Sequence, residues 1–208
     1  MAELRTGARL PVIDERFCSS HPLDLTVKKK IVTIFSNTYF QVFDANKNLL
    51  FQVKADRLRF HTNRILFDAA DSPIATMCAK KFSWSGKWTI QKGDSKDETN
   101  LLFSVKESSK FQLKTNLDVF LPRNVDEDVC DFHVKPNYWD KSCKIYKGDK
   151  VIAEVVDTQT GGGFFFGKHV LSVRVEAGVD YAFVVSLLVI LDAIKDSNQQ
   201  SHQMNQHH

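Results

Sequence analysis

Tyr181-Ala-Phe-Val-Val-Ser-Leu-Leu-Val-Ile-Leu191 carries no charge; Asp180 stands before it, and Asp192-Ala-Ile-Lys195 follows before the chain turns polar. Asp is a favoured helix N-cap. As a helix the run spans roughly 16 Å, about half of the ~30 Å hydrocarbon core of a bilayer, so it is too short to cross a membrane. Apolar side chains fall on every side of its helical wheel, which excludes a surface helix with one wet face. The run therefore predicts a helix over residues 180–195 enclosed by the rest of the protein. Two buried strands are the competing reading, because Val184, Val185, Val189 and Ile190 are β-branched. The length of 181–195, free of Gly, Pro and Asn, favours the helix. Ser186 suits it too, since its hydroxyl can bond back to the Ala182 carbonyl.

The enclosing material reads as strands. Ile31-Val-Thr-Ile-Phe35, Tyr39-Phe-Gln-Val-Phe43, Leu50-Phe-Gln-Val53 and Leu171-Ser-Val-Arg-Val175 alternate β-branched and aromatic residues between turn-forming neighbours. Asn48-Leu-Leu-Phe-Gln-Val-Lys54 recurs as Asn100-Leu-Leu-Phe-Ser-Val-Lys106, each copy after a strand and a polar turn. Ile65-Leu-Phe-Asp-Ala-Ala-Asp-Ser-Pro-Ile-Ala-Thr76 and Lys144-Ile-Tyr-Lys-Gly-Asp-Lys-Val-Ile-Ala-Glu154 repeat the strand–turn–strand grammar. Hairpins in series predict an antiparallel meander. Closing the meander on itself removes its exposed edges and leaves an interior for the helix to fill.

The 208 residues, 43% hydrophobic and 25% charged, with 16 Phe, suit one globular domain with a core of large side chains. Residues 17–195 form that domain; residues 1–16 and 196–208 read as a disordered lead and a disordered polar tail. A net charge of +3 is too weak for a dedicated nucleic-acid binder. Cys18, Cys78, Cys130 and Cys143 lie far apart without a CxxC pair, unlike the dense framework of small secreted domains. Met1 to Arg16 lacks an apolar signal-peptide core. We expect an intracellular, cytoplasmic chain with reduced thiols, peripheral at the plasma membrane or nuclear as further options.

Several ordered segments resemble the plant LURP-one-related family. They are Pro22-Leu-Asp-Leu25, the Asn-Leu-Leu-Phe-x-Val-Lys element, Leu113-Lys-Thr-Asn-Leu-Asp-Val-Phe-Leu121, Cys130-Asp-Phe-His-Val-Lys135, Ser142-Cys-Lys-Ile-Tyr146, Val179-Asp-Tyr-Ala-Phe183 and Leu187-Leu-Val-Ile-Leu-Asp192. The resemblance covers residues 17–195. It implies a tubby-like fold, a twelve-stranded closed antiparallel barrel around a central C-terminal helix, shared with tubby domains and phospholipid scramblases. It also implies a link to plant defence and no established catalytic residues. Tubby domains bind phosphoinositides, but their lipid-binding residues are not carried over to this chain.

Chemical motifs are few. Gly162-Gly-Phe-Phe-Phe-Gly-Lys168 has the G-x-x-x-x-G-K skeleton of a phosphate loop, but His169 stands where Ser or Thr is needed, and Val170-Leu-Ser-Val-Arg-Val175 reads as a strand where a helix should begin. Cys130 and His133, placed in one strand, fall on opposite faces and cannot share a metal. Asp126-Glu-Asp128 lacks the Gly and Glu of a calcium loop and reads as a solvated turn. His202, His207 and His208 offer weak metal ligands in the tail. We expect no catalytic residues, no metal and no cofactor. Lys28-Lys-Lys30 abuts the expected strand at 31–35, and Arg57, Arg59 and His61 alternate with Leu58 and Phe60, putting cations on one outward face. Lys80-Lys81 and Lys168-His169 extend this inventory, and Trp84, Trp88 and Trp139 divide between core and surface anchors. Lys28, Lys29, Lys30, Arg57 and Arg59 are the candidate lipid head-group ligands; ordinary solvation of a barrel exterior is the competing explanation. The expected partner is an anionic phospholipid, with a protein partner for a lipid-free scaffold as the alternative. A carrier of apolar ligands is disfavoured, because the helix already occupies the interior.

Overall fold

The computed structural model describes residues 9–30, 38–55, 63–80, 86–95, 97–108, 116–137, 142–157 and 170–204. The alternating segments form β1 (Leu23–Lys29), β2 (Thr38–Phe43), β3 (Leu49–Ala55), β4 (Arg64–Asp68), β5 (Pro73–Ala79), β6 (Trp88–Lys92), β7 (Leu101–Glu107), β8 (Leu117–Phe120), β9 (Phe132–Asn137), β10 (Ser142–Lys147), β11 (Lys150–Asp157) and β12 (Val170–Val175), followed by α1 (Tyr181–Met204). Each strand pairs antiparallel with its chain neighbours, and β1 pairs with β12 from Leu23↔Val175 to Lys28↔Val170, which closes the barrel. The expected twelve-stranded barrel around a C-terminal helix is the fold observed.

Alternation sorts the wall into a dry and a wet side. Leu25, Val27, Leu171, Val173 and Val175 face inward, while Asp24, Lys28, Ser172 and Arg174 face outward. The helix meets the inner face over its first four turns, with Phe183, Leu187, Ile190 and Leu191 fully buried. The two copies of the internal repeat are β3 and β7, and their Phe residues contact successive inward rings of the helix. Phe51 lies 5.4 Å from the Tyr181 ring, and Phe103 lies 5.0 Å from Phe183. Ser186 Oγ donates to the Ala182 carbonyl at 2.9 Å. The two-strand reading of this run is thereby excluded.

Asp180 both caps the helix and ties the N-terminal segment across its entrance. Its Oδ1 accepts from the Phe183 N–H at 3.0 Å, and its Oδ2 accepts from the N–H groups of Val12, Ile13 and Asp14 at 3.1, 2.7 and 3.0 Å. Leu10 bridges to Val179, and Ile13 and Phe17 join the core. The disordered lead expected for residues 1–16 is corrected from residue 9 onward: three backbone donors converge on one buried carboxylate, a partner that composition does not reveal. Residues 1–8 lie outside the described residues.

The helix also overruns its expected end at residue 195 and continues to Met204. Polarity ends the buried face, but intrahelical hydrogen bonds carry residues 196–204 roughly 13 Å further. Only residues 205–208 of the expected disordered tail lie outside the described residues. The same holds for the strand expected at 31–35 and for the glycine-rich stretch 162–168, after which β12 begins as expected.

Candidate functional site

The barrel has two chemically different ends. The connections β1–β2, β3–β4, β5–β6, β7–β8, β9–β10 and β11–β12 leave the end where α1 emerges; the other connections lie at the end where it enters. The exit-end segments (residues 30–37, 56–63, 80–87, 108–116, 138–141 and 158–169) contain ten Lys or Arg and two acidic residues. They also contain Phe35, Phe60, Phe82, Trp84, Phe111, Tyr138, Trp139 and Phe164 to Phe166. The entry-end segments (residues 44–48, 69–72, 93–100, 121–131, 148–149 and 176–180) contain twelve acidic and three basic residues. A net charge of +3 thus conceals an uneven division of charge between the two sets of connecting segments.

At the exit end the described cations behave differently. Lys28 projects outward over the Phe43 ring at 5.0 Å, and Lys30 is exposed while its N–H donates to the Tyr39 carbonyl at 2.7 Å. No ion pair joins Lys28 or Lys30 to another described residue. Lys29 departs from its expected role. It shares the inward face of Leu25 and Val27, and its Nζ lies 2.8 Å from Oδ1 of the buried Asp192 on the helix. A lysine held this way fastens the helix to the wall and is unavailable to a ligand. Arg57 and Arg59 lie outside the described residues, as do Trp84 and Trp139. Arg64, the first residue of β4, places its guanidinium over the Tyr39 ring at 4.1 Å.

A cleft of about 180 Å³ opens beside the emerging helix, where Arg64, Lys80 and Lys87 rim the apolar Ala193 and Ile194. None of these cations stands alone: Arg64 lies over Tyr39, and both lysines form ion pairs. Lys80 Nζ lies 2.9 Å from Glu98, and Lys87 Nζ lies 2.8 Å from Glu127, because acidic entry-end loops fold back along the outer wall of β5 to β8. A hollow of about 490 Å³ on the wall of β9 to β11 is similarly balanced, with Lys144 at 3.4 Å from Glu154 and Lys135 over Tyr146. On β1 and just after it, Lys28 and Lys30 form no ion pair with another described residue.

Two expectations about the outer wall are corrected. Asp126 and Asp128 are exposed, but Glu127 is more than part of a solvated turn: its carboxylate accepts from Lys87 and Lys106 and from Ser104 Oγ. Burial favours its neutral form, but the two lysines outweigh that and hold its pKa at about 2. Cys130 and His133 do not point apart either. Cys130 precedes β9, so strand alternation does not govern it, and its Sγ lies 3.1 Å from His133 Nε2. Burial, with the charges of Asp118 and Asp131, pushes its thiol up to about 11. All four cysteines are free thiols. Cys143, fully buried, is pushed up to about 12 by burial, and Lys195 beside it is lowered to about 8 by desolvation.

A family model of LURP-one-related proteins matches residues 23–192, from the first residue of β1 to the Asp192 that receives Lys29. The chain belongs to the LURP-one-related family. This LURP-one-related protein is 40% identical to Protein LURP-one-related 15 of Arabidopsis thaliana over 88% of its own length and 85% of that relative. It is 40% identical to Protein LURP1 of the same plant over 88% and 89% of the two chains. An X-ray structure of an Arabidopsis thaliana protein, 33% identical, matches with a TM-score of 0.69 over 89% of this chain and 98% of that one. No described helix is long and apolar enough to cross a membrane.

Proposed function

We propose that this LURP-one-related protein is a non-catalytic module that binds anionic phospholipid head groups, phosphoinositides foremost, in a signalling role related to plant defence. The observation that supports this reading is the uneven division of charge between the two sets of connecting segments in the sequence. The basic end also holds most of the chain's Trp and a run of Phe in its connections, and aromatic residues favour the water–membrane interface. Each Lys or Arg near an anionic bilayer contributes about 1 kcal/mol, so five or six acting together suffice for peripheral binding. Lys28 and Lys30, with Arg57 and Arg59, remain the ligands of this reading, and Lys29 leaves the set.

Sedimentation with vesicles tests it. The protein should pellet with phosphoinositide-containing vesicles and stay in solution with neutral ones. Raising salt should release it, because added ions shorten the ~8 Å Debye length of physiological buffer and with it the range of the attraction. Replacing Lys28 and Lys30 with Gln should weaken binding by about 30-fold, equivalent to ~2 kcal/mol, without moving the melting temperature. No preference for anionic vesicles at low salt overturns the lipid reading and puts a protein-binding scaffold in its place. Binding that survives both high salt and the double substitution overturns the electrostatic version in favour of inserted aromatic side chains.

A further inference from the structure

We propose that Asp118, Cys130 and His133 form a binding site for Zn²⁺ on the outer wall of the barrel. The pairing register sets Asp118 of β8 directly opposite His133 of β9. Both face outward, between Leu117 and Val119 on one strand and Phe132 and Val134 on the other, all four buried. The His133 Nδ1 lies 2.7 Å from Asp118 Oδ1 and 3.4 Å from Cys130 Sγ. Sγ lies nearer still to Nε2, at 3.1 Å, so a turn of the ring is needed to aim Nδ1 at a shared ion, and one ligand atom from each residue already lies within 4.8 Å of the others.

A tetrahedral zinc ion with ordinary bond lengths separates such donors by roughly 3.4–3.6 Å. The sulfur–nitrogen edge already has that length. The nitrogen–oxygen edge must open by roughly 0.7 Å, a small rotation for a half-exposed imidazole. Asp118 Oδ1 is buried and receives no aligned hydrogen bond, so it meets Nδ1 lone pair to lone pair whenever that nitrogen is unprotonated. A cation between them satisfies both.

The neighbours leave the space to these three groups. Asp131 Oδ2 is taken by the Leu121 N–H at 2.9 Å and Asn124 Nδ2 at 3.0 Å, contacts that fix the turn carrying Cys130. Lys106, opposite Asp118 on β7, is drawn to Glu127. The His133 side chain is 40% exposed, which opens the fourth coordination position to water. Thiolate and carboxylate together balance the divalent charge, with the thiol proton passing to the buffer. A mixed sulfur, nitrogen and oxygen set suits Zn²⁺ rather than Mg²⁺ or Ca²⁺.

Cobalt(II) is the probe, titrated into the full chain with its thiols kept reduced. One equivalent should produce a near-ultraviolet thiolate-to-cobalt charge-transfer band with visible d–d bands of tetrahedral intensity, and Zn²⁺ should abolish both. Cys130→Ser should remove the charge-transfer band. His133→Gln and Asp118→Asn should each weaken Zn²⁺ by more than about 10-fold, the lesser loss seen when only an outer partner of a metal ligand is removed. Thermal melts without metal verify that each variant is folded, and the unmodified chain alone decides whether a thiolate binds. No band in the unmodified chain overturns the site. A band that survives Cys130→Ser assigns the sulfur to another cysteine and overturns it equally. Metal uptake without the band belongs to the histidines of the C-terminal segment and does the same.

Discussion

Lys29 shows how a single residue can be misassigned when its neighbours share its charge. Three consecutive lysines suggest one patch, but a strand sends alternate side chains to opposite sides, and Lys29 keeps the parity of Leu25 and Val27. That parity was available in the sequence; the partner, Asp192, was not, because 163 positions separate the two. Cys130 was misassigned in the opposite way, by extending alternation one turn beyond the start of its strand. Glu127 gives a test at this scale. Its carboxylate is depressed to about 2 from an ordinary 4.5, so the stability it contributes is complete above pH ~4.5 and fades as pH falls toward 2. Glu127→Gln should therefore cost about 1–2 kcal/mol near neutral pH, a charge-assisted pair discounted for partial exposure. In urea melts that difference should shrink below pH ~4.5; a constant difference down to pH ~3 rules out the ionic account.

Among the elements, the helix was legible because residues 181–195 run on without a Gly, Pro or Asn to divide them into two buried strands. Most of the strands were legible from alternation, and the repeat correctly matched β3 with β7. The ends were less so: the strap at residues 9–16 depends on hydrogen bonds to a distant residue, Asp180, and the overrun to Met204 rests on intrahelical hydrogen bonds that a polar composition does not announce. Leu187 tests the enclosed helix. It is fully buried, so Leu187→Asp places a charge where nothing can pair with it and should leave no cooperative unfolding transition. Leu187→Met, similar in volume, should cost under about 1.5 kcal/mol. Ending the chain after Val179 should yield no folded protein, because burying Phe183, Leu187, Leu188, Ile190 and Leu191 is worth ~1.5–3 kcal/mol each against a net stability of ~5–15 kcal/mol. A soluble, cooperatively melting product from that truncation contradicts the enclosed helix.

For the whole molecule, closure follows from the need to bury a helix and remove sheet edges, whereas the uneven charge of the two sets of connections can be sorted only once the strand order is known. Closure also governs how such a molecule can be made. The seam joins β1 to β12, and the ion pair across it, Asp24 with Arg174, links positions 150 residues apart. Contacts so distant in sequence slow folding. In chain order every strand precedes the helix, so a ribosome delivers the whole wall before the side chains that fill it. Until then Phe51, Phe103 and Phe132 have no core to join. A wall that exposes such side chains is prone to aggregate, and the native core can form only once the helix has been made.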